Sequence, residues 1–202
     1  EVDILSRNTT WTFSRDTSTG MEFAPVIFYD GQGIMVRKNS NIKNLEDLKG
    51  KSVCTQTGTT NEQNLADQMR QRGISYKPIV FEDVNTVFTT YEQGRCEAIT
   101  SDRSQLVSRR TTLSKPNEHT VLDLLISKEP LAPAVKNGDT KWFDVVKWTI
   151  NSLINAEELG VNSQNVNQLA NSSNPEIKRL LGTEGDLGKA AGLSNDFVKR
   201  II

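Results

Sequence analysis

Histidine is almost absent from this sequence: one residue, His119, in 202. Acid–base, triad and zinc chemistry near neutral pH most often recruits that side chain. His119 itself ends the polar run Lys115-Pro116-Asn117-Glu118-His119, which reads as a solvated loop. Cysteine is nearly as scarce. Cys54 and Cys96 lie far apart without CxxC spacing, so neither a zinc site nor a thioredoxin motif is supported, and one disulfide or two buried thiols stay open. Long apolar runs are missing too: Val121-Leu122 and Leu124-Leu125-Ile126 are far too short to span a bilayer. Neither sign of charge dominates, with 24 Lys+Arg against 25 Asp+Glu, so nothing offers a footprint for a nucleic-acid backbone or an anionic membrane. Glu1-Val2-Asp3 is not a basic n-region, so no signal peptide is visible and a cleaved leader stays open.

What is present is enough hydrophobic residue, 36%, for one large domain or two small lobes to bury a core. From about residue 34, short β-rich runs alternate with amphipathic helical segments, the pattern of a mostly parallel sheet covered by helices. Ile34-Met35-Val36 reads as a strand, Leu45 to Gly50 as one helical turn, and Lys51 to Thr55 as the next strand. Thr59 stands three residues before Glu62, the spacing of a capping box, and the helix it opens buries Leu65 and Met69 before Gly73 stops it. Strand Ile79-Val80-Phe81, Asp83 as a cap, a helix burying Val84, Val87, Phe88 and Tyr91, and strand Glu97 to Thr100 repeat the grammar.

Residues 34–126 are therefore expected to form one α/β lobe, and 1–33 with 127–202 a second, discontinuous and partial one. In the latter, Val2 to Leu5 reads as a strand and 141–202 as mainly helical, with Trp142, Val145, Val146, Ile150 and Ile154 at core spacing. A chain that opens in a strand and closes on the apolar helical face Val198 to Ile202 is expected to be a fragment.

In open α/β sheets, ligands bind beyond the carboxyl ends of the strands. Gln56-Thr57-Gly58-Thr59-Thr60 lies at one such end, where a glycine turn and free N–H groups at a helix start suit a carboxylate or phosphate; a plain helix cap is the bland alternative. The run fails the phosphate-loop pattern for want of a lysine, and Gly31-Gln32-Gly33 fails GxGxxG because Val36 stands at the third glycine position. Asp102, after the next strand, could receive an ammonium or merely cap the helix from Arg103. Together the two places suit a zwitterion. A third group, Ser6-Arg7-Asn8-Thr9-Thr10-Trp11-Thr12 with Arg15, follows the strand at 2–5, and Arg15 could hold a carboxylate bidentately or pair on the surface with Asp16 or Glu22.

Asp3 to Thr12 with Arg15, Phe23-Ala24-Pro25-Val26, Tyr29 to Gly33, Cys54 to Thr60, Gly94 to Glu97, Thr100 to Arg103, Glu129 to Val135, Trp142-Phe143-Asp144 and Gly182 to Gly188 resemble the periplasmic amino-acid-binding proteins of ABC importers, closest to the general L-amino-acid branch. The resemblance covers essentially the whole chain. It implies an α/β, type II periplasmic-binding fold of two lobes joined by two crossovers, near 30–36 and 124–133, that close on ligand like a hinge. It implies Arg15 as the clamp of the substrate α-carboxylate, assisted by Thr10 and the backbone near Asn8. Thr60 and its amide would bind that carboxylate from the other lobe, Gln56 and Thr59 belonging to the same turn, and Asp102 would take the α-ammonium. Arg7 departs from the usual small polar residue, so it either reaches the substrate side chain or points away. Members of the family carry a further β-α-β portion before 2–5 and a helix after 202, which implies a piece truncated at both ends. The function implied is a non-catalytic periplasmic receptor for polar or diverse L-amino acids, without metal or cofactor. It would hand cargo to an inner-membrane ABC permease and be a monomer when complete. A sensing domain of a signalling protein, or a dehydratase-like enzyme on the same scaffold, is the alternative.

Overall fold

The computed structural model describes residues 2–202. The chain folds as two compact units, Glu1–Ile27 with Ala132–Ile202, and Phe28–Leu131. The first unit opens with strand β1 (Ile4–Leu5), helix α1 (Phe13–Ser18) and strand β2 (Met21–Phe23). The second runs β3 (Phe28–Asp30), β4 (Gln32–Arg37), β5 (Ser52–Gln56), α2 (Thr60–Gln71), β6 (Lys77–Phe81), α3 (Val84–Glu92), β7 (Ala98–Asp102), α4 (Arg103–Arg110), β8 (His119–Val121) and β9 (Glu129–Leu131). The chain then re-enters the first unit through β10 (Ala134–Lys136), the long α5 (Thr140–Glu158) and the short helices α6 (Val166–Leu169), α7 (Pro175–Leu180), α8 (Leu187–Ala190) and α9 (Phe197–Ile201).

The second unit is built on a sheet of order β6-β5-β7-β4-β8. β5 is parallel to β6 and β7, whereas β4 runs against both β7 and β8. Strand side chains alternate between faces, and the core alternates with them. Ile34, Val36, Val53 and Ala98 pack under α2 with Leu65 and Met69. Met35, Cys54 and Ile99 face the other way, onto Val87, Phe88 and Tyr91 of α3 and Leu106 of α4. Helix ends are closed by the residues the spacing indicated. Thr59 accepts from the Glu62 N–H and Asp83 from the Thr86 N–H. α2 and α3 then stop at Gly73 and Gly94, whose φ of 65° and 81° lie where a side chain would be strained. Ile74 N–H to Met69 O and Arg95 N–H to Thr90 O complete the two C-terminal motifs. Cys54 and Cys96 are bridged, with Cα atoms 5.7 Å apart.

The division falls at 27/28 and 131/132 rather than 33/34 and 126/127. The reason lies in backbone pairing: β3 and β9 pair with each other, Asp30 opposite Glu129. Gly31 O also accepts from Arg103 N–H, and Gln32 O from Ile126 N–H, so both flanks are tied into the second unit.

His119 is not a solvated loop residue. It is 5% exposed, opens β8 opposite Arg37, and its Nδ1 lies 2.8 Å from the Tyr91 hydroxyl. Arg37 approaches the same ring, 5.1 Å from its centroid, and donates to the Tyr91 and Glu92 carbonyls at the end of α3, where a cation suits the helix dipole. Burial pushes the Tyr91 phenol well above its ordinary range, against the Arg37 charge, so it stays a protonated donor. Burial, and then the Arg37 charge, hold the His119 imidazole below its ordinary pKa of 6.5, with Glu92 and Glu118 opposing. The unfolded chain therefore binds this proton first. Stability of the second unit is expected to be level above the ordinary value and to fall as pH drops through it towards the folded value. Urea midpoints taken over about pH 5 to 8 check this, with His119→Asn as control: that variant keeps an acceptor for Tyr91 but should lose the slope near neutrality.

In the first unit a sheet of order β1-β10-β2 is antiparallel throughout. Its faces pack Phe23, Ala132 and Ala134 in one cluster, and Ala24 and Val135 against Val146, Phe143 and Ile150 of α5 in another. The helical spacing on α5 overstates its buried face: Trp142 and Ile154 are 37% and 43% exposed. A three-stranded sheet reaches only the Phe143–Val146–Ile150 stripe. Trp142 still anchors β1, its Nε1 donating to Asp3 O at 2.9 Å.

Candidate functional site

In the second unit, β5 and β7 deliver Gln56 and Asp102 to their carboxyl ends, beside the start of α2. The Thr59 hydroxyl is used twice by the turn itself, donating to Gln56 O at 2.7 Å and accepting from Glu62 N–H. Gln56 Nε2 donates to Glu82 O at 2.8 Å. Glu62 reaches back past the cap to Gly58 N–H, 2.8 Å, and to the Thr57 hydroxyl. The first N–H groups of a helix have no acceptor within it; the Glu62 N–H is capped by Thr59, and those of Thr60 and Asn61 belong to the same first turn.

Asp102 is 4% exposed. It occupies the N-cap position of α4 without capping it by its side chain; instead Asn61 Nδ2 donates to its Oδ1 at 3.1 Å. Asn61 is in turn held from below, because Gln32 Nε2 donates both to Asn61 O and to the Thr100 hydroxyl, each at 2.8 Å. Among the described residues, Gln32 Oε1, Asn61 Oδ1 and Thr55 Oγ1 are buried acceptors without a hydrogen-bond partner. Thr60, on the neighbouring face of the same turn, donates to Glu129 Oε2 at 3.1 Å. Glu129, 1% exposed, also accepts from Asn64 Nδ2 at 2.8 Å and from the Ser127 hydroxyl. The start of α2 is thus bordered by three carboxylates, Glu62, Asp102 and Glu129. A carboxylate in such a place receives hydrogen-bond donors, an ammonium above all, while free amides at a helix start suit an anion.

In the first unit, Thr10 and Arg15 are brought together: Arg15 Nη1 donates to Thr10 O at 3.0 Å, and Thr12 caps α1 by accepting from Arg15 N–H. Arg15 is half-buried and Thr10 is buried, while Arg7 and Asn8 are exposed on the preceding bend. Among the described residues the alternative surface pairing of Arg15 with Asp16 or Glu22 is not made. Trp11 stacks on Phe23 beside this segment, centroids 5.9 Å apart.

Sequence reasoning did not single out Gln32, Asn61, Asn64, Ser127 or Glu129, the residues that hold the start of α2 and Asp102 in place. The one usable signal was an acid, Glu129, at the head of the apolar stretch Pro130 to Val135. Among the described residues no group of His, Cys, Asp and Glu is placed to hold a metal ion, and no helix is long and apolar enough to cross a membrane.

The family described as NMT1/THI5 like matches residues 22–133. The general L-amino acid-binding periplasmic protein AapJ of Rhizobium johnstonii is 52% identical over 204 residues, covering 100% of this chain and 60% of that protein. The glutamate/glutamine/aspartate/asparagine-binding protein BztA of Rhodobacter capsulatus is 46% identical over 203 residues, with the same coverage of 100% and 60%. The chain spans about 60% of the length of these curated relatives. Among solved structures, an ABC transporter/periplasmic binding protein from Brucella ovis with glutathione bound has a TM-score of 0.94 at 47% identity, over 100% of this chain and 64% of that one. An ancestral arginine-binding protein bound to arginine has a TM-score of 0.66 at 28% identity, over 79% and 67%. The chain belongs to the NMT1/THI5-like family, has the α/β fold of type II periplasmic binding proteins, and has periplasmic amino-acid-binding proteins of ABC transporters as its homologues.

Proposed function

We propose that this chain supplies the ligand-binding residues of a periplasmic receptor that captures L-amino acids and delivers them to an ABC permease. The observation that carries the reading is Asp102: a buried carboxylate at a strand end, held by Asn61 beside the open amides of α2. That juxtaposition suits the ammonium and carboxylate of one α-amino acid. Arg15 of the first unit serves as carboxylate clamp, with Thr10 fixing its guanidinium, and Arg7 and Asn8 on the exposed bend are available to the ligand side chain. The groups assembled are those of recognition, and we read the protein as a binder rather than an enzyme. Cargo broader than single amino acids is favoured by one finding, the glutathione in the Brucella ovis structure. Glutathione carries a free α-amino-acid end on its γ-linked glutamyl group and so offers the same zwitterion.

Calorimetric titration of the twenty L-amino acids and glutathione tests this, against the chain as it stands and against the chain extended to the length of its relatives. Binding is expected for polar amino acids. Heats indistinguishable from dilution for every compound, with both proteins folded, would remove the receptor reading. Binding of glutathione with no free amino acid bound would narrow the cargo to γ-glutamyl compounds.

A further inference from the structure

We propose that Glu129 is a positioning residue that ties the ligand-binding turn of α2 to the strands by which the chain enters and leaves the second unit; this rests on the receptor reading. Thr60 and Asn64 are four residues apart, so they share a face of α2. Both give their side-chain donors to this one carboxylate, Thr60 to Oε2 at 3.1 Å and Asn64 to Oε1 at 2.8 Å. Asn61, one position round the same turn, gives its donor to Asp102. The first turn of α2 is therefore held between two buried carboxylates, Asp102 at the end of β7 and Glu129 at the start of β9. A turn of helix moves as one piece, so a shift that follows a ligand bound at Asp102 is felt at Glu129.

Glu129 pairs across the backbone with Asp30, and Tyr29 and Phe28 pair with Pro130 and Leu131. These two strands lie immediately inside the points at which the chain passes between the units, 27/28 and 131/132. Glu129 is thus the group through which a change at the ligand turn reaches both crossover strands. The carboxylate ties both helix donors because it accepts with both oxygens; methionine, of similar length, offers neither contact, whereas glutamine could keep both, its oxygen accepting from Asn64 and its NH2 donating to the Thr60 hydroxyl.

Hydrogen exchange read by mass spectrometry tests the coupling, using whichever of the two proteins above binds, with L-glutamine as the first probe and the rest of the panel after it. In the unsubstituted protein the probe is expected to slow exchange in peptides covering 57–64 and also in those covering 28–31 and 129–132. In Glu129→Met the slowing at 57–64 should persist while that at 28–31 and 129–132 is lost. Asn64→Ala removes one of the two helix donors at a half-buried position, and should give a partial loss; it carries the test should Glu129→Met not fold. A purely structural Glu129 would raise exchange with and without the probe yet leave the probe-induced slowing of the crossover strands intact, which overturns the proposal. So does a wild-type protein whose crossover strands do not respond. Failure of every compound to bind removes the receptor reading and this inference together, whereas normal binding with coupling retained in Glu129→Met removes this inference alone.

Discussion

Replacing Cys54 and Cys96 together by alanine is expected to cost the second unit about 4 kcal/mol of stability, mainly by releasing the unfolded chain. The bridge joins residues 42 apart in sequence, and the loop it closes carries α2, β6 and α3. Loop closure on that scale stabilises by reducing the entropy of the unfolded state, and little strain opposes it where the Cα separation, 5.7 Å, is one disulfides ordinarily adopt. Both sulfurs lie in the cluster of Met35, Tyr91, Ile99 and Leu106, so water offers the truncated side chains no compensation. With a urea dependence of about 2 kcal/mol per molar, the midpoint should fall by roughly 2 M. The loss should be seen at the second unit. Its signal is separable because the three tryptophans, Trp11, Trp142 and Trp148, all lie in the first unit and the three tyrosines, Tyr29, Tyr76 and Tyr91, all in the second. An unchanged midpoint in far-UV ellipticity would show that the bridge contributes nothing.

How much of this was legible in the sequence depended on how far apart in the chain the interacting groups lie. The β-α alternation from residue 34 and the caps at Thr59 and Asp83 are local signals, satisfied within three residues, and they were readable. Asp102 was readable as a strand-end carboxylate for the same reason, but the residue that holds it, Asn61, is 41 positions away. Glu129 was hidden more completely. Beside Pro130 it looks like a turn residue, and its burial is decided by Thr60 and Asn64, which are 69 and 65 positions distant. His119 misled for a related reason: the polar run before it is a surface turn of 3-10 helix, Pro116–Glu118, yet pairing with β4 and the Tyr91 hydroxyl draws the last residue of that run inside. Thr59 and Gln56 show the reverse case, where hydrogen-bonding groups that looked available are engaged by the turn's own geometry. Helical spacing on α5 also overreached, because periodicity marks a face able to be buried and not how much sheet lies opposite it.

Arg15→Ala and Asp102→Asn are each expected to cost about 2 to 5 kcal/mol of amino-acid affinity, by leaving one end of the ligand's zwitterion without its counter-charge. Neither change should unfold the protein. The Arg15 guanidinium donates to Thr10 O at a half-buried position, and Asp102→Asn preserves shape and an oxygen that can still accept from Asn61 Nδ2. The losses should be nearly the same for every amino acid that binds, because the two side chains address groups common to all of them. Arg7→Ala is expected to behave differently. Its side chain is exposed on the bend before Thr10, and its removal should alter the ranking among acidic, amide and basic ligands while leaving the shared contribution in place. Calorimetry on folded variants, with the same panel as for the unsubstituted chain, separates the cases: a loss uniform across the panel identifies a group that reads the α-carbon substituents, and a loss confined to some ligands identifies one that reads the side chain. Affinity unchanged in Arg15→Ala would return that arginine to the role of a residue that merely fixes the Thr10 bend, and unchanged affinity in Asp102→Asn would leave the ammonium to the buried amide oxygens of Gln32 and Asn61.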